Sequence, residues 1–223
     1  MSVKAFYQYL EFLKLAGIQD IFIKEPEPIV EAVEEGCVDK ARILHDLSQK
    51  YANCQKCGLS QGRINLVYGQ GNADAKLMLI GEGPGANENK TGQAFVGAAG
   101  ELLDRQLHAI KLTRQEVYIA NIVKCQPPYN RNPEANEVQA CMPYLLEQIE
   151  IVAPQIILLL GRVPAHAILE TTESISRLRL RRHLFREIPV YVTYHPAALL
   201  RDPKYRVPTW EDLQRVRDHY FSL

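Results

Sequence analysis

Four short apolar runs dominate the chain from residue 76 onward: KLMLIG (76–81), VYIANIV (117–123), QIILLLG (155–161) and PVYVTYH (189–195). Each is bounded by Gly, Pro or charged residues and is rich in β-branched or aromatic side chains, the pattern of strands buried on both faces. Segments with helical spacing lie between them, at 98–111, 134–152 and 162–170. Strand alternating with helix implies a parallel sheet covered on both faces, an α/β fold. In such a sheet ligands bind beyond the carboxyl ends of the strands. Three polar features fall there: the loop GEGPGANENKTGQAFVG after the first run, Asn121 near the end of the second, and His195-Pro196 after the fourth.

With 47% apolar residues in 223, the chain can bury one sizeable core. Lys plus Arg is 26 and Asp plus Glu is 26, so a uniformly basic nucleic-acid coat is excluded while a local basic patch is not. No apolar run reaches the ~18 residues of a membrane helix. The N-terminal stretch MSVKAFYQYLEFLKLAG carries Glu11 and Lys14 and no small-residue cleavage site, so an intracellular, cytoplasmic protein is expected. Val3, Phe6, Leu10 and Leu13 follow one helical face, and six acidic residues against one lysine lie between Asp20 and Gly36. Residues 1–45 thus read as a helical and acidic extension, and 46–223 as the main domain.

The glycine-rich turn 81–85 lets backbone N–H groups approach a ligand. It is not a P-loop, because Asn89 precedes Lys90-Thr91 and Pro84 occupies the other required glycine position. Gly81, Gly83 and Ala86 match the dinucleotide pattern by letter. Its context fails, since Pro84 and the polar run Asn87 to Lys90 follow where a helix should open. Asn121 inside an apolar strand must find partners; an amide suits a nucleobase edge, or bridges backbone groups. Phe95 is a stacking platform or a core anchor. His195 is a site residue or a hydrogen-bonded structural histidine.

Cys54 and Cys57 form C-x2-C, and fifteen residues separate Cys125 from Cys141. In a reducing compartment this set reads as a zinc or iron–sulfur site, or as buried free thiols. In RLRLRRHLFR (177–186), Arg177, Arg179 and Arg181 have the period of one strand face. They form either a phosphate-contacting stripe or a solvated edge strand. QRVRDHYF (214–221) has Gln and a terminal aromatic pair at sliding-clamp-box spacing. Arg217 stands where that box wants an aliphatic residue, and the alternative is a last helix packing Val216, Tyr220 and Phe221 on the sheet.

Taken in order, C-x2-C-x-L, VYGQGNADAKLMLIGEGPG, KTGQAFVGAAGELLD, YIANIVKCQPPYNRNP and HPAALLR resemble the family-four, iron–sulfur uracil-DNA glycosylases over roughly 45–220. The resemblance implies a three-layer α/β/α fold with a central four-stranded parallel sheet. It implies a structural 4Fe-4S cluster on Cys54, Cys57, Cys125 and Cys141, with Cys37 a spare thiol. The implied reaction is excision of uracil from DNA in base excision repair, with uracil-containing DNA as partner, no membrane, and the chain acting as a monomer. Phe95 would stack on the flipped base, Asn121 would read its N3 and O4 edge, and His195 would bond O2. The backbone of Gly83 and Gly85 would line the pocket, and Leu199, Leu200 and Arg201 would enter the minor groove. Glu82 would position water or steady the sugar cation, and the 83–95 loop would exclude the thymine methyl.

Two departures stand out. Many relatives have Arg-Gly where this chain has Arg179-Leu180, so the loop before the last strand is expected to differ. The triplet Arg181-Arg182-His183 is similar to a loop of uracil-crosslinking relatives, but no insertion follows the second strand, so hydrolysis is retained. Competing classes are a non-catalytic iron–sulfur DNA-binding module and an electron carrier. Neither requires Asn121, Phe95 and His195 together.

Overall fold

The computed structural model describes residues 39–223. The apolar face at 3–16, the acidic stretch and Cys37 lie outside them. Helix α1 (Lys40–Tyr51) opens the described unit and runs across the boundary expected between residues 45 and 46. Asp39 caps it by accepting from Arg42 N at 2.9 Å.

Six strands form one sheet: β1 (Gln70–Gly71), β2 (Leu77–Gly81), β3 (Val117–Asn121), β4 (Ile156–Leu160), β5 (His183–Phe185) and β6 (Ile188–Thr193). Their spatial order is β1-β3-β2-β4-β6-β5. The inner four, β3-β2-β4-β6, are mutually parallel. Every residue of β2, β3 and β4 is buried, because helices cover both faces. Met78, Ile80, Ala120, Ile157 and Leu159 point to one core, with α1, α4 (Ala135–Val152) and α5 (Arg162–Leu169). Leu77, Leu79, Ile119, Ile156 and Leu158 point to the other, with α3 (Ala98–Ala109) and α8 (Arg206–Tyr220). The period of two places alternate residues of each apolar run in different cores. The fold is a three-layer α/β/α.

The sequence anticipated the four parallel strands but not the antiparallel edges β1 and β5. β1 is two residues long, with Gly71 at φ 127°, and carries no hydrophobic signal. The polar run Asn87 to Lys90, expected to exclude a helix, lies inside one: α2 (Ala86–Thr91). Being polar, it has no apolar periodicity to reveal it.

The arginine stripe is also corrected. Residues 175–178 form a short helix, α6 (Ile175–Leu178), and strand pairing starts only at His183. Arg177 and Arg181 are exposed while Arg179 is 8% exposed, so the three do not share a face. Arg179 donates to Asp212 Oδ2 at 2.9 Å, to Glu211 Oε2 at 2.9 Å and to the Pro208 carbonyl at 2.5 Å. The buried Asp212 also accepts from Thr193 Oγ1 at 2.8 Å and pairs with Arg215. This cluster pins α8 to the end of β6. Asp212→Ala leaves the buried Arg179 with Glu211 as its remaining carboxylate and strips Thr193 Oγ1 of its acceptor, and is expected to cost about 2–3 kcal/mol, read from the urea midpoint.

At the C-terminus, Val216 is fully buried and Tyr220 packs against the same core. Phe221 is exposed, so helix packing accounts for two of the three residues expected on the sheet. Among the described residues, no helix is long and apolar enough to cross a membrane.

Candidate active site

The parallel register sets Gly81, the last residue of β2, beside Asn121, the last of β3. Asn121 is 2% exposed, and its side-chain Oδ1 has no hydrogen-bond partner. A buried acceptor left open is rare in a native fold and marks a place where a ligand donor fits. A Cβ at Gly81 would lie 2.4 Å from Asn121 Oδ1 and 2.6 Å from Phe95 Cζ. Only glycine therefore lets the amide and the ring close over this point. Behind Asn121, the fully buried Lys124 donates from Nζ to the Asn121 carbonyl at 2.9 Å and to Gln148 Oε1 at 2.5 Å. Burial pushes the Lys124 ammonium down to about 7.

Phe95 lies in the loop between α2 and α3, with φ at 54°. A side chain at positive φ is disfavoured, so the surroundings must hold it there. Glu88 on α2 does part of this. Its Oε1 accepts from Val96 N and Gly97 N, both at 2.9 Å, and its Oε2 accepts from Gly85 N at 3.1 Å. The Phe95 ring centroid lies 5.6 Å from that of His195, with the planes 30° apart.

His195 follows β6 and caps α7 (Pro196–Arg201). Its Nδ1 accepts from Ala197 N at 3.2 Å, which assigns the ring proton to Nε2. Burial lowers its pKa to about 4, and the nearby Arg201 guanidinium acts in the same direction. His195 is thus a neutral Nε2–H donor at pH 7. Gly161, at φ 101°, passes under it; a Cβ there would lie 3.0 Å from His195 Cβ.

Glu82 directly follows β2. Burial raises its pKa, and Arg162 and Arg201 oppose the rise. With the Asn132 amide in the orientation that satisfies both its atoms, Nδ2 donates to Glu82 Oε1 at 3.3 Å and Oδ1 accepts from Arg162 Nη2 at 2.8 Å. The loop carrying Asn132 is fixed by Arg131, which grips Glu137 through two bonds of 2.7 and 2.8 Å. One rim thus holds an open amide, an aromatic ring, a neutral imidazole and a half-buried carboxylate. Such a rim can stack and hydrogen-bond a flat polar ring.

The uracil-DNA glycosylase superfamily model matches residues 68–214. The chain is 43% identical over 184 residues to a Type-4 uracil-DNA glycosylase of Sulfurisphaera tokodaii, covering 78% of this chain and 84% of that one. It is 42% identical to the Type-4 uracil-DNA glycosylase of Saccharolobus solfataricus, covering 77% and 84%. A Type-4 uracil-DNA glycosylase of Thermotoga maritima is 37% identical, with 80% and 95% covered. The chain belongs to the Type-4 uracil-DNA glycosylase family.

In this Type-4 chain the expected groove-entering block divides. Leu199 is 3% exposed and lies among residues of α3 and α8. The helical turn of α7 sends Leu199 inward and leaves Leu200, 46% exposed, and Arg201 outside. Gly83 and Gly85 differ in surroundings. A Cβ at Gly83 would lie 2.7 Å from Val123 Cγ2, while Gly85 opens α2 over the Glu88 carboxylate.

The family implies a metal cluster, and the thiols can be tested for it. Cys54, Cys57, Cys125 and Cys141 line one narrow cavity. Each of three sulfurs accepts an N–H: Cys54 from Lys56 N at 3.5 Å, Cys141 from Lys124 N at 3.3 Å and Cys125 from Arg63 Nη1 at 3.5 Å. The Tyr144 hydroxyl lies 3.1 Å from Cys54 Sγ. Burial pushes the Cys141 thiol up to about 11, so a thiolate there needs such donors or a cation. Among the described residues, no three metal-ligating side chains converge as they would on a single ion. Four soft donors around a shared space suit a larger thiolate-held group.

The sequence singles out Asn121, Phe95, His195 and Glu82, which the structure brings to one rim, but not Glu88, Lys124, Asn132 or Arg162. Each of these four acts on a residue of the rim through a side-chain contact or field, for which a single sequence carries no pattern.

Proposed function

We propose that this protein excises uracil from DNA, the first step of base excision repair, by hydrolysing the N-glycosidic bond. The observation that carries the proposal is the buried, unpartnered Asn121 Oδ1 beside the Phe95 ring and the neutral His195. Uracil must leave the duplex to reach such a pocket, at a cost of a few kcal/mol. Leu200 and Arg201 enter the minor groove and keep the gap open; Leu199 stays in the protein core.

Once flipped, the base stacks on Phe95. Asn121 Oδ1 accepts from uracil N3–H and Nδ2 donates to O4. Cytosine offers the reverse, an acceptor at N3 and a donor at N4, and is rejected. The 83–95 loop, with the backbone of Gly83 and Gly85, shapes the wall that excludes the thymine methyl. As the C1′–N1 bond breaks, its electron pair moves onto the base and charge gathers on O2. Nε2–H of His195 donates to O2, and a neutral imidazole does so without giving up its proton. Water attacks the sugar cation at C1′, leaving its hydroxyl there and releasing a proton that neutralises the departed uracil anion, so the products are neutral uracil and an abasic site. Glu82, oriented by Asn132 and Arg162, positions this water.

Cys54, Cys57, Cys125 and Cys141 hold a 4Fe-4S cluster in this reading. When bound, the cluster supplies a covalent tie and takes no part in the chemistry at C1′. The four cysteines join the segment after α1 to the loop after β3 and to α4. The glycosylase domain includes α1. As a DNA-repair enzyme it works inside the cell.

The test is a strand-nicking assay on a labelled oligonucleotide carrying one uracil, followed by alkali. Cleavage at uracil, absent on the matched thymine oligonucleotide, is expected. No cleavage by protein with its cluster spectrum intact would leave a DNA-binding module without glycosylase activity.

A further inference from the structure

The Phe95 loop is held by more than Glu88. Arg114, in the connection between α3 and β3, donates from Nη1 to the Ala94 carbonyl at 3.0 Å and from Nη2 to the Phe95 carbonyl. Its Nε bonds Asp104 Oδ1 on α3 at 2.5 Å. Successive carbonyls point to opposite sides of an extended chain, so one planar group cannot ordinarily take both. Here the left-handed turn at Phe95 swings the Ala94 and Phe95 carbonyls to one side. The same turn aims Val96 N–H and Gly97 N–H together at Glu88. The disfavoured backbone state is thus clasped from both sides, by a cation on its carbonyls and an anion on its amides. Gln70 adds a third hold: its side chain accepts from Ala94 N and donates to Ala94 O, both at 3.2 Å. Gly100 completes the seat, since a Cβ there would lie 1.8 Å from the Phe95 carbonyl oxygen.

We propose that Arg114 is a positioning residue for base stacking, fixing the left-handed turn that presents the Phe95 ring beside His195 and Asn121. Its hydrogen bonds reach none of those other site residues, so it acts through Phe95 alone. Lysine cannot replace it, because a single ammonium cannot span two carbonyls and Asp104 as a planar guanidinium does. The catalytic part of this inference rests on the uracil-excision reading given above; the conformational part does not.

The experiment is a double-mutant cycle read on the uracil oligonucleotide, together with amide hydrogen exchange, all on the full chain with its cluster. Arg114→Ala is expected to lower kcat/KM by about 10- to 100-fold, the cost of a small misplacement of a positioned group. Arg114→Lys is expected to recover little of that loss. In a Phe95→Ala background, Arg114→Ala should cost no more than about twofold, the non-additivity of residues acting as one unit. An equal loss in both backgrounds would overturn the proposal. Exchange at Val96 and Gly97 should rise in Arg114→Lys while the sheet amides stay protected; unchanged exchange at those two amides would overturn it too. If the wild-type chain cleaves no uracil, the excision reading fails, and the exchange data still decide whether Arg114 holds the turn.

Discussion

Asn121→Asp is expected to lower uracil excision by on the order of 10⁴-fold and to create excision at cytosine that the wild-type chain is expected to lack. The size follows from burial. Asn121 is enclosed at the ends of β2 and β3, so a mismatched partner there finds no water to compensate it. The amide offers uracil one acceptor and one donor. A carboxylate offers two acceptors, so one oxygen faces uracil O4 and repels it. The same carboxylate accepts from the cytosine amino group and shares a proton with N3. Its volume matches the amide, so the packing is kept, while the charge brought into this buried position lowers stability, which the urea midpoint reads. The measurement is single-turnover nicking on paired oligonucleotides that differ only in uracil or cytosine. If Asn121→Asp keeps wild-type discrimination, the base is read elsewhere.

His195→Ala is expected to reduce single-turnover excision by about 10²–10³-fold with little change in DNA affinity, because the bond to O2 strengthens only as charge develops. The pH profile carries independent information. With the folded-state pKa lowered to about 4, from an ordinary 6.5, the imidazole is neutral throughout the physiological range. The acid limb of wild-type activity should therefore lie near pH 4, with no break at 6.5. For stability the sign is also fixed. The unfolded chain takes up the proton more readily, so the contribution of neutral His195 is complete above 6.5 and is lost as pH falls from there toward 4. His195→Ala removes that portion of the acid sensitivity. An activity break at 6.5 that is absent from the residual activity of His195→Ala would mean that His195 is solvated and not seated on Ala197 N–H; one that persists belongs to another group, such as Glu82.

The amino-acid sequence by itself determined the architecture, because alternation of buried runs with helical segments leaves few packings. It also determined which polar residues gather at one rim: the carboxyl ends of parallel strands lie together, so Asn121 and His195 had to converge. The paired cysteines similarly announced a shared site. The tertiary structure decided which apparently exposed residues are internal. Arg179 belongs to a period-two stripe only if its segment is a strand. A helical turn at 175–178 instead delivers it to Asp212, 33 residues away in sequence. Leu199 and Leu200 are chemically equivalent neighbours, and only the turn of α7 sends one to the core and the other to solvent. Arg114 and Glu88 hold Phe95 by bonding its loop's backbone, and every residue has a carbonyl and nearly every one an amide. Such contacts leave no residue pattern to detect, whereas hydrophobic burial imposes a period that can be read directly.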